Sequence, residues 1–281
     1  PIHFKTIIER CLEPNLYSLS VLNEFIKIAE EENQTDYPIH IEFNTGLNRL
    51  GLKSKTVDEI VNTLSKNKAV KIKSAFSHMV ASEDLNELSF TQQQIGEYKD
   101  VVNSLENKLG YSVCKHMCNT SGVLNYPKAH FDMVRCGIGL YCFGNSKEFD
   151  NQMKPIAKLK SIISQIHTLQ SGESLGYNRT FTAEKETRTA TIPIGHADGI
   201  GRQYGNGKGY VFINGEKASI AGNICMDMLM VDITNINCQV GDEVIIFDSN
   251  HTANSLASSV NTISYEIITA ISQRVKRVIV E

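Results

Sequence analysis

Cys114-Lys115-His116-Met117-Cys118 sets two thiols and an imidazole close together, a donor set that zinc takes. A structural zinc site needs a second pair at finger spacing. The remaining cysteines, at 11, 136, 142, 225 and 238, supply none. No metal site is therefore expected. Three other side chains can move or hold protons and charge: His78, Arg135 and Tyr177. Each has an ordinary reading when taken alone. A histidine in an apolar run is usually a satisfied core residue. An arginine usually joins a surface ion pair of little energetic weight. A tyrosine usually packs or lies on the surface.

The elements that must position these groups fall into two textures. In the first, Ile39–Phe43, Ala75–Met79, Tyr111–Cys118 and Met133–Tyr141 read as strands. Helical periodicity runs over 90–109 and closes at Gly110, and a shorter helix is expected over 56–64. Strands alternating with helices imply a parallel sheet, because parallel strands need crossovers. After about residue 150 strand-like runs dominate: 162–169, 187–194, 210–213, 218–221, 229–233 and 244–247. Asn214-Gly215 between two of them is a hairpin signal. A helix near 263–271 and a last strand near 275–280 follow. The boundary falls near Met153, giving an α/β domain over 1–152 and a mostly β domain over 153–281. A closed (β/α)8 barrel takes ~250 residues, so the first domain is expected to be an incomplete TIM-type barrel or another sheet.

The bulk properties exclude several function classes. The 281 residues carry 28 Lys+Arg against 31 Asp+Glu, a formal net charge of −3. There is no basic excess to attract nucleic acid. No apolar run approaches the ~20 residues that span a bilayer, and no signal-peptide pattern opens the chain. Seven cysteines without a Cys-x-x-Cys pair point to free thiols in a reducing, cytoplasmic compartment.

Eight local strings, in order, resemble the alanine racemase family, whose enzymes depend on pyridoxal phosphate and have fold type III. Thr45-Gly46-Leu47-Asn48-Arg49-Leu50-Gly51 resembles its arginine motif. Phe76-Ser77-His78-Met79 is similar to its histidine-bearing strand, and His116-Met117-Cys118-Asn119-Thr120-Ser121 to its His-x-x-Asn-Ser turn. Val134-Arg135-Cys136-Gly137-Ile138 resembles Val-Arg-Pro-Gly, and Gly176-Tyr177-Asn178-Arg179-Thr180-Phe181 the tyrosine loop. Ile192 to Gly199, Ile224-Cys225-Met226-Asp227, and Ser264-Tyr265-Glu266 leading to Gln273–Val278 complete the series.

The resemblance implies a TIM-type barrel followed by a β domain, and a homodimer whose subunits share active sites. It implies racemisation of alanine, feeding D-alanine to peptidoglycan synthesis. Removing the α-proton of an amino acid is difficult, and the cofactor makes it feasible by accepting the resulting charge. Two bases on opposite faces then invert the centre. The resemblance assigns one to a cofactor-binding lysine and the other to Tyr177 of the partner subunit. An ordinary phenol has a pKa near ~10, so a neighbour must help it, and His78 matches that neighbour. Arg135 matches the residue facing the pyridine nitrogen, and His116 the residue that orients it. Thr120, Gly137, Ile138 and Tyr265 match phosphate contacts; Arg49 and the backbone around Met226 match the substrate-carboxylate side. A glycine at 137 lets a backbone amide approach phosphate closely.

The sequence also departs from the family. The lysine-bearing string Val-Lys-Ala-Asn-Ala-Tyr does not occur in it, so the chain is expected to correspond to the C-terminal three-quarters of a racemase. It would be inactive as written, or a fragment of a longer enzyme, one to which a wall-precursor ligase could be fused. Glu42 stands where many relatives have a carbamylated lysine paired with the motif arginine, here Arg49. The other reading of Glu42 is a sheet-edge pair. His196 replaces a tyrosine, and Cys136 and Lys276 replace prolines. Two alternatives stand beside alanine racemisation: a racemase for serine or another small amino acid, and a non-catalytic, dimer-forming remnant.

Overall fold

The computed structural model describes residues 2–144 and 146–280. The chain divides into two compact units, one of residues 1–140 and 144–152, the other of 141–143 and 153–281.

In the first unit α1 (Phe4–Glu9) precedes β1 (Asn15–Leu16), α2 (Leu19–Glu31), β2 (Tyr37–Glu42), α3 (Val57–Ser65) and β3 (Val70–Phe76). They are followed by α4 (Leu88–Leu109), β4 (Cys114–His116), α5 (Thr120–Asn125) and α6 (Lys147–Asp150). The four strands form one parallel sheet in chain order, β1-β2-β3-β4, with α2, α3 and α4 as crossovers. This is a TIM-barrel-like α/β arrangement. The sequence explains the crossovers. Ser18 caps α2 by accepting from the Val21 amide at 3.2 Å. Leu22, Phe25, Ile26 and Ala29 recur at helical spacing and bury one face. Helix α4 buries Thr91, Gln94, Ile95, Tyr98, Val101, Val102 and Leu105 in the same way, and ends at Gly110 with φ 77°. These faces meet Leu16, Ile39, Ile41, Ile72 and Ala75 of the sheet in one core.

One irregularity sets the register. Ile39 pairs with Ile72, but His40 pairs with Ser74, so Lys73 is an extra residue on β3. Side chains two apart on a regular strand share a face. The bulge instead turns Ser74 to the face of His40.

The expected strand over 133–141 does not form. The Arg135 amide donates to Cys118 O at 3.0 Å, but the amides of Gly137 and Gly139 both donate to Thr120 Oγ1 at 3.1 Å. A hydroxyl takes the place of a sheet ladder, and residues 138–141 coil into a single 3-10 turn. Strand β4 is shorter than the run over 111–118 suggests, and the 75–79 run lies at the end of β3, with Ser77 to Met79 beyond it.

The second unit holds β5 (Leu159–Ile162), β6 (Gln165–Leu169), β7 (Ser174–Leu175), β8 (Phe181–Thr182), β9 (Thr187–Ile192), β10 (Tyr210–Ile213) and β11 (Glu216–Ser219). β12 (Leu229–Asp232), β13 (Glu243–Phe247), α7 (Ala253–Ser258) and α8 (Ser264–Ala270) follow. Antiparallel sheets run β11-β10-β13-β5 and β12-β9-β6, with a β7-β8 ribbon. Asn214 and Gly215, with φ 50° and 81°, make the two-residue turn between β10 and β11. The single strand expected over 162–169 breaks at Ile163–Ser164. Ile163 N donates to Asp242 O, while Ser164 N donates to Thr191 O, so the chain changes sheets there. Residues 275–280 form no strand. Val278, Ile279 and Val280 are 67–97% exposed, and an extended run without a partner strand has no ladder to join.

Tyr98 ties α4 to both β3 and β4: its hydroxyl donates to Ala75 O at 2.7 Å and accepts from the His116 amide at 2.9 Å. Tyr98→Phe would leave that carbonyl and that amide without their partner in a fully buried place. We expect a loss of about 1–3 kcal/mol in urea unfolding. A change below about 0.5 kcal/mol would mean that the hydroxyl does not tie the elements together.

Candidate active site

The chemically capable residues of the first unit gather beyond the C-terminal ends of the parallel strands, where βα loops build sites in barrels. Glu42 ends β2, His116 ends β4, and His78 lies two residues past β3. Arg135 reaches the ends of β3 and β4. Its Nη1 meets His116 Nδ1, and its Nη2 donates to Ser77 O at 2.8 Å and to Met117 O at 3.4 Å. The same nitrogen lies 3.3 Å from His78 Nδ1. Phe76 packs under the guanidinium, 5.0 Å from the ring centroid, and stacks on the His116 ring at 4.9 Å.

A guanidinium only donates, so both Nδ1 atoms must be acceptors and each imidazole carries its hydrogen on Nε2. The electrostatics agree. Burial, then Arg135, pushes His116 down to about 4. Burial, then Arg135 and Arg49, lowers His78. Both rings are neutral at pH 7.

Gln94 on α4 holds the His78 loop. Its Nε2 donates to His78 O at 2.7 Å and to Thr45 Oγ1 at 3.2 Å, and its Oε1 accepts from Val80 N at 3.2 Å. This residue lies outside the motif strings. Its signal is legible: a polar side chain sits in the apolar stripe that Ile95, Tyr98 and Val102 define.

Arg49 lies exposed in the loop after β2. Asn44 Oδ1 accepts from the amides of Gly46 and Asn48 at 3.1 and 3.0 Å and fastens that loop. Gly51, at φ 110°, lets the chain return against β2, where a Cβ would lie 2.6 Å from Asn44 N. Among the described residues no ion pair joins Glu42 to Arg49. Glu42 is 6% exposed and accepts from Asn15 Nδ2 at 2.7 Å, so the pair between neighbouring strands forms instead.

Thr120 is buried at the start of α5, where its hydroxyl gathers the Gly137 and Gly139 amides. The Gly137 amide is thus engaged by Thr120 within the chain. A Cβ on Gly137 would meet no atom within 4 Å, so nothing in the packing of this chain requires glycine there. Ile138 is buried beside it. Burial pushes the Cys118 thiol up to about 11, and it donates to Ala129 O at 3.1 Å. Among the described residues no group of three or more His, Cys, Asp or Glu could hold a metal ion.

In the second unit Tyr177 is 68% exposed, on a turn with Gly176, Asn178 and Arg179 at φ 72°, 59° and 50°. Asn223 Nδ2 donates to Tyr177 O at 3.1 Å and Arg179 Nε to Ser174 Oγ at 3.0 Å, which holds the loop while the phenol projects. Met226 is exposed, and its carbonyl accepts from Ala197 N at 2.7 Å. Gly195 permits this contact, since a Cβ there would lie 2.6–2.7 Å from the backbone of residues 225–228. Asp198 is buried: Oδ2 accepts from Gly195 N at 2.9 Å and from Arg274 Nη2 at 2.7 Å. The carboxylate is thus buried while its partner Arg274 stays largely exposed. Tyr265 lies on the first turn of α8, partly exposed.

Comparison with known proteins meets this geometry. Residues 1–144 match the family described as alanine racemase, N-terminal domain, and 156–279 match alanine racemase, C-terminal domain. The chain belongs to the alanine racemase family. It is 35% identical to alanine racemase 1 of Clostridium acetobutylicum, over 98% of this chain and 73% of that protein. The structure of alanine racemase from Clostridium difficile superposes with a TM-score of 0.88 at 31% identity, covering 98% of this chain and 72% of that one. Alanine racemase from Bartonella henselae, solved with covalently bound pyridoxal phosphate, gives 0.86 at 28% identity over 98% and 75%. The family is one of isomerases, and its TIM-barrel-like and mostly β parts are the two textures of this chain.

Within this racemase-family site, His116 carries a pH signature. An unfolded imidazole takes its proton near pH ~6.5, the folded one only near about 4. Between those values the unfolded chain binds more protons. Stability present in full above pH ~6.5 is therefore lost as pH falls toward about 4. The loss from this group is expected to be roughly 3 kcal/mol. Urea unfolding across that range checks it, with His116→Gln flattening the slope; an unaltered slope would rule His116 out as the cause.

Proposed function

We propose that this chain belongs to an enzyme that racemises alanine with pyridoxal phosphate, supplying D-alanine for peptidoglycan; the family's lysine-bearing string is not among its residues. The observation that carries the reading is the clamped Arg135, a half-buried cation whose neighbours His116 and His78 are both held as neutral acceptors.

The donor set fits the cofactor. Arg135 would face the pyridine nitrogen, donating to it without giving up a proton. Thr120 Oγ1 already accepts from two amides, so its own hydrogen is left to donate to a phosphate, with the open side of Gly137 beside it. Ile138 and Tyr265 complete the assigned phosphate contacts, and Arg49 and the Met226 backbone the carboxylate side. When bound, the cofactor supplies an electron sink for the charge left by the α-proton.

The protein's own residues manage the protons. Tyr177 is the base on one face, reaching the site of a second copy of the chain. Its exposure within its own unit supports that assignment. His78 bears its hydrogen on Nε2 because Arg135 occupies Nδ1. It can then donate to the phenolate of Tyr177 and ease loss of the phenol proton. The partner is thus a second copy, in a homodimer with shared sites, and the substrate is a small amino acid. The free cysteines support a cytoplasmic setting. No helix among the described residues is long and apolar enough to cross a membrane.

Racemisation of L-alanine by the full-length protein, with pyridoxal phosphate added, tests the function. Tyr177→Phe should cut turnover from L-alanine by about 10²- to 10⁴-fold while cofactor binding persists. Unchanged turnover would remove Tyr177 from this role. Arg135→Ala should shift the cofactor absorption and raise the share of transamination. An unaltered spectrum and product ratio would make Arg135 a structural residue only.

A further inference from the structure

The contacts of Arg135 do not stop at His116. His116 Nε2 lies 3.1 Å from Ser74 Oγ, and Ser74 Oγ lies 2.5 Å from His40 Nδ1. His40 Nε2 lies 2.9 Å from Glu13 Oε2, and Lys73 Nζ donates to Glu13 Oε1 at 2.7 Å. The line crosses β4, β3 and β2 and ends just before β1. It depends on the bulge at Lys73. That extra residue turns Ser74 to the face of His40 and sends Lys73 to Glu13. Ser74 is 1% exposed and His116 4%, so water does not stand in for either partner.

The chemistry of the two ends decides which way every hydrogen points. Arg135 has no acceptor, so His116 Nδ1 is a lone pair and Nε2 carries the hydrogen toward Ser74. At the far end the carboxylate of Glu13 has no hydrogen to give, and Lys73 holds its carboxyl below the usual range. His40 Nε2 therefore donates to Glu13, and in a ring with a single hydrogen this leaves Nδ1 as an acceptor. The one hydrogen of Ser74 goes to His40, which leaves its oxygen free to accept from His116. A donor-only group and an acceptor-only group thus impose the same polarity from opposite ends.

We propose that His40 and Ser74, ending on Glu13, are positioning residues that set the His116 tautomer and through it the orientation of Arg135. The catalytic consequence rests on the cofactor-facing reading of Arg135; the tautomer does not. If His40 is lost, the Ser74 hydrogen is free to turn to His116 Nε2. The imidazole hydrogen then moves to Nδ1, against the guanidinium.

The test reads the tautomer by 15N chemical shifts of the His116 ring in the full-length protein. With the Arg135 end removed by Arg135→Ala, Nε2 should stay protonated, because the Glu13 end still sets the polarity. Adding His40→Leu should bring the two tautomers to within about twofold of each other. Adding His40→Gln should not, because the amide can accept from Ser74 and donate to Glu13. Glu13→Leu, at the more exposed end, should match His40→Leu and serves if that variant does not fold. Mixed tautomers in Arg135→Ala alone, or an unaltered Nε2–H in both leucine variants, would overturn the proposal. In the presence of Arg135, His40→Leu should lower kcat about tenfold with KM held, and His40→Gln should restore it. Tautomer behaviour as expected with kcat unchanged would leave the chain standing and refute the catalytic reading of Arg135.

Discussion

A guanidinium has only hydrogens to offer, and burying one obliges its surroundings to become acceptors. Arg135 imposes that requirement on the first unit. Two carbonyls, of Ser77 and Met117, and two imidazole nitrogens answer it. The histidines are thereby fixed as neutral rings with known tautomers. Their protonation states at neutral pH thus follow from burial beside a charge that cannot be neutralised. Phe76 contributes its face to the same cation, which combines a packing role in β3 with an electrostatic one.

Such a cluster is only as precise as the elements behind it. The parallel sheet supplies the strand ends, and α4 supplies the rigid support. From that one helix Gln94 holds the His78 loop and Tyr98 joins β3 to the His116 amide. Both are polar groups set among apolar ones and fully hydrogen-bonded, the condition under which a buried polar network rigidifies a core. In the second unit a different device serves. Gly195 admits the 225–228 segment at close range, and the Asp198–Arg274 pair locks the turn that follows. The Tyr177 loop is held from its backbone, which leaves the phenol outside the unit that carries it.

The order of the motifs was enough to identify the family, and the alternation of strand and helix was enough for its fold. Tyr210–Ile213, the Asn214-Gly215 turn, the Gly110 cap and the amphipathic face of α4 are local matters. Propensity, turn chemistry and periodicity settle each within a few residues, so they were legible in the chain. The motif strings also single out His78, His116 and Arg135 as one group.

What only the tertiary structure decided are the relations between residues far apart in sequence. The run over 133–141 is apolar enough for a strand, yet the Thr120 hydroxyl takes its amides and it becomes a turn. Glu42 could have met Arg49 or a neighbouring strand; Asn15, beyond hydrogen-bonding reach in sequence terms, took it. Nothing in the spelling of Val70–Phe76 announces a bulge at Lys73, because a bulge is a property of two strands in register and not of one. Yet that extra residue faces Ser74 toward His40 and opens the line from Arg135 to Glu13. The sequence by itself determined which side chains could do the chemistry. Their hydrogen-bond polarity was decided by through-space neighbours, since a tautomer is chosen by the partner opposite each nitrogen.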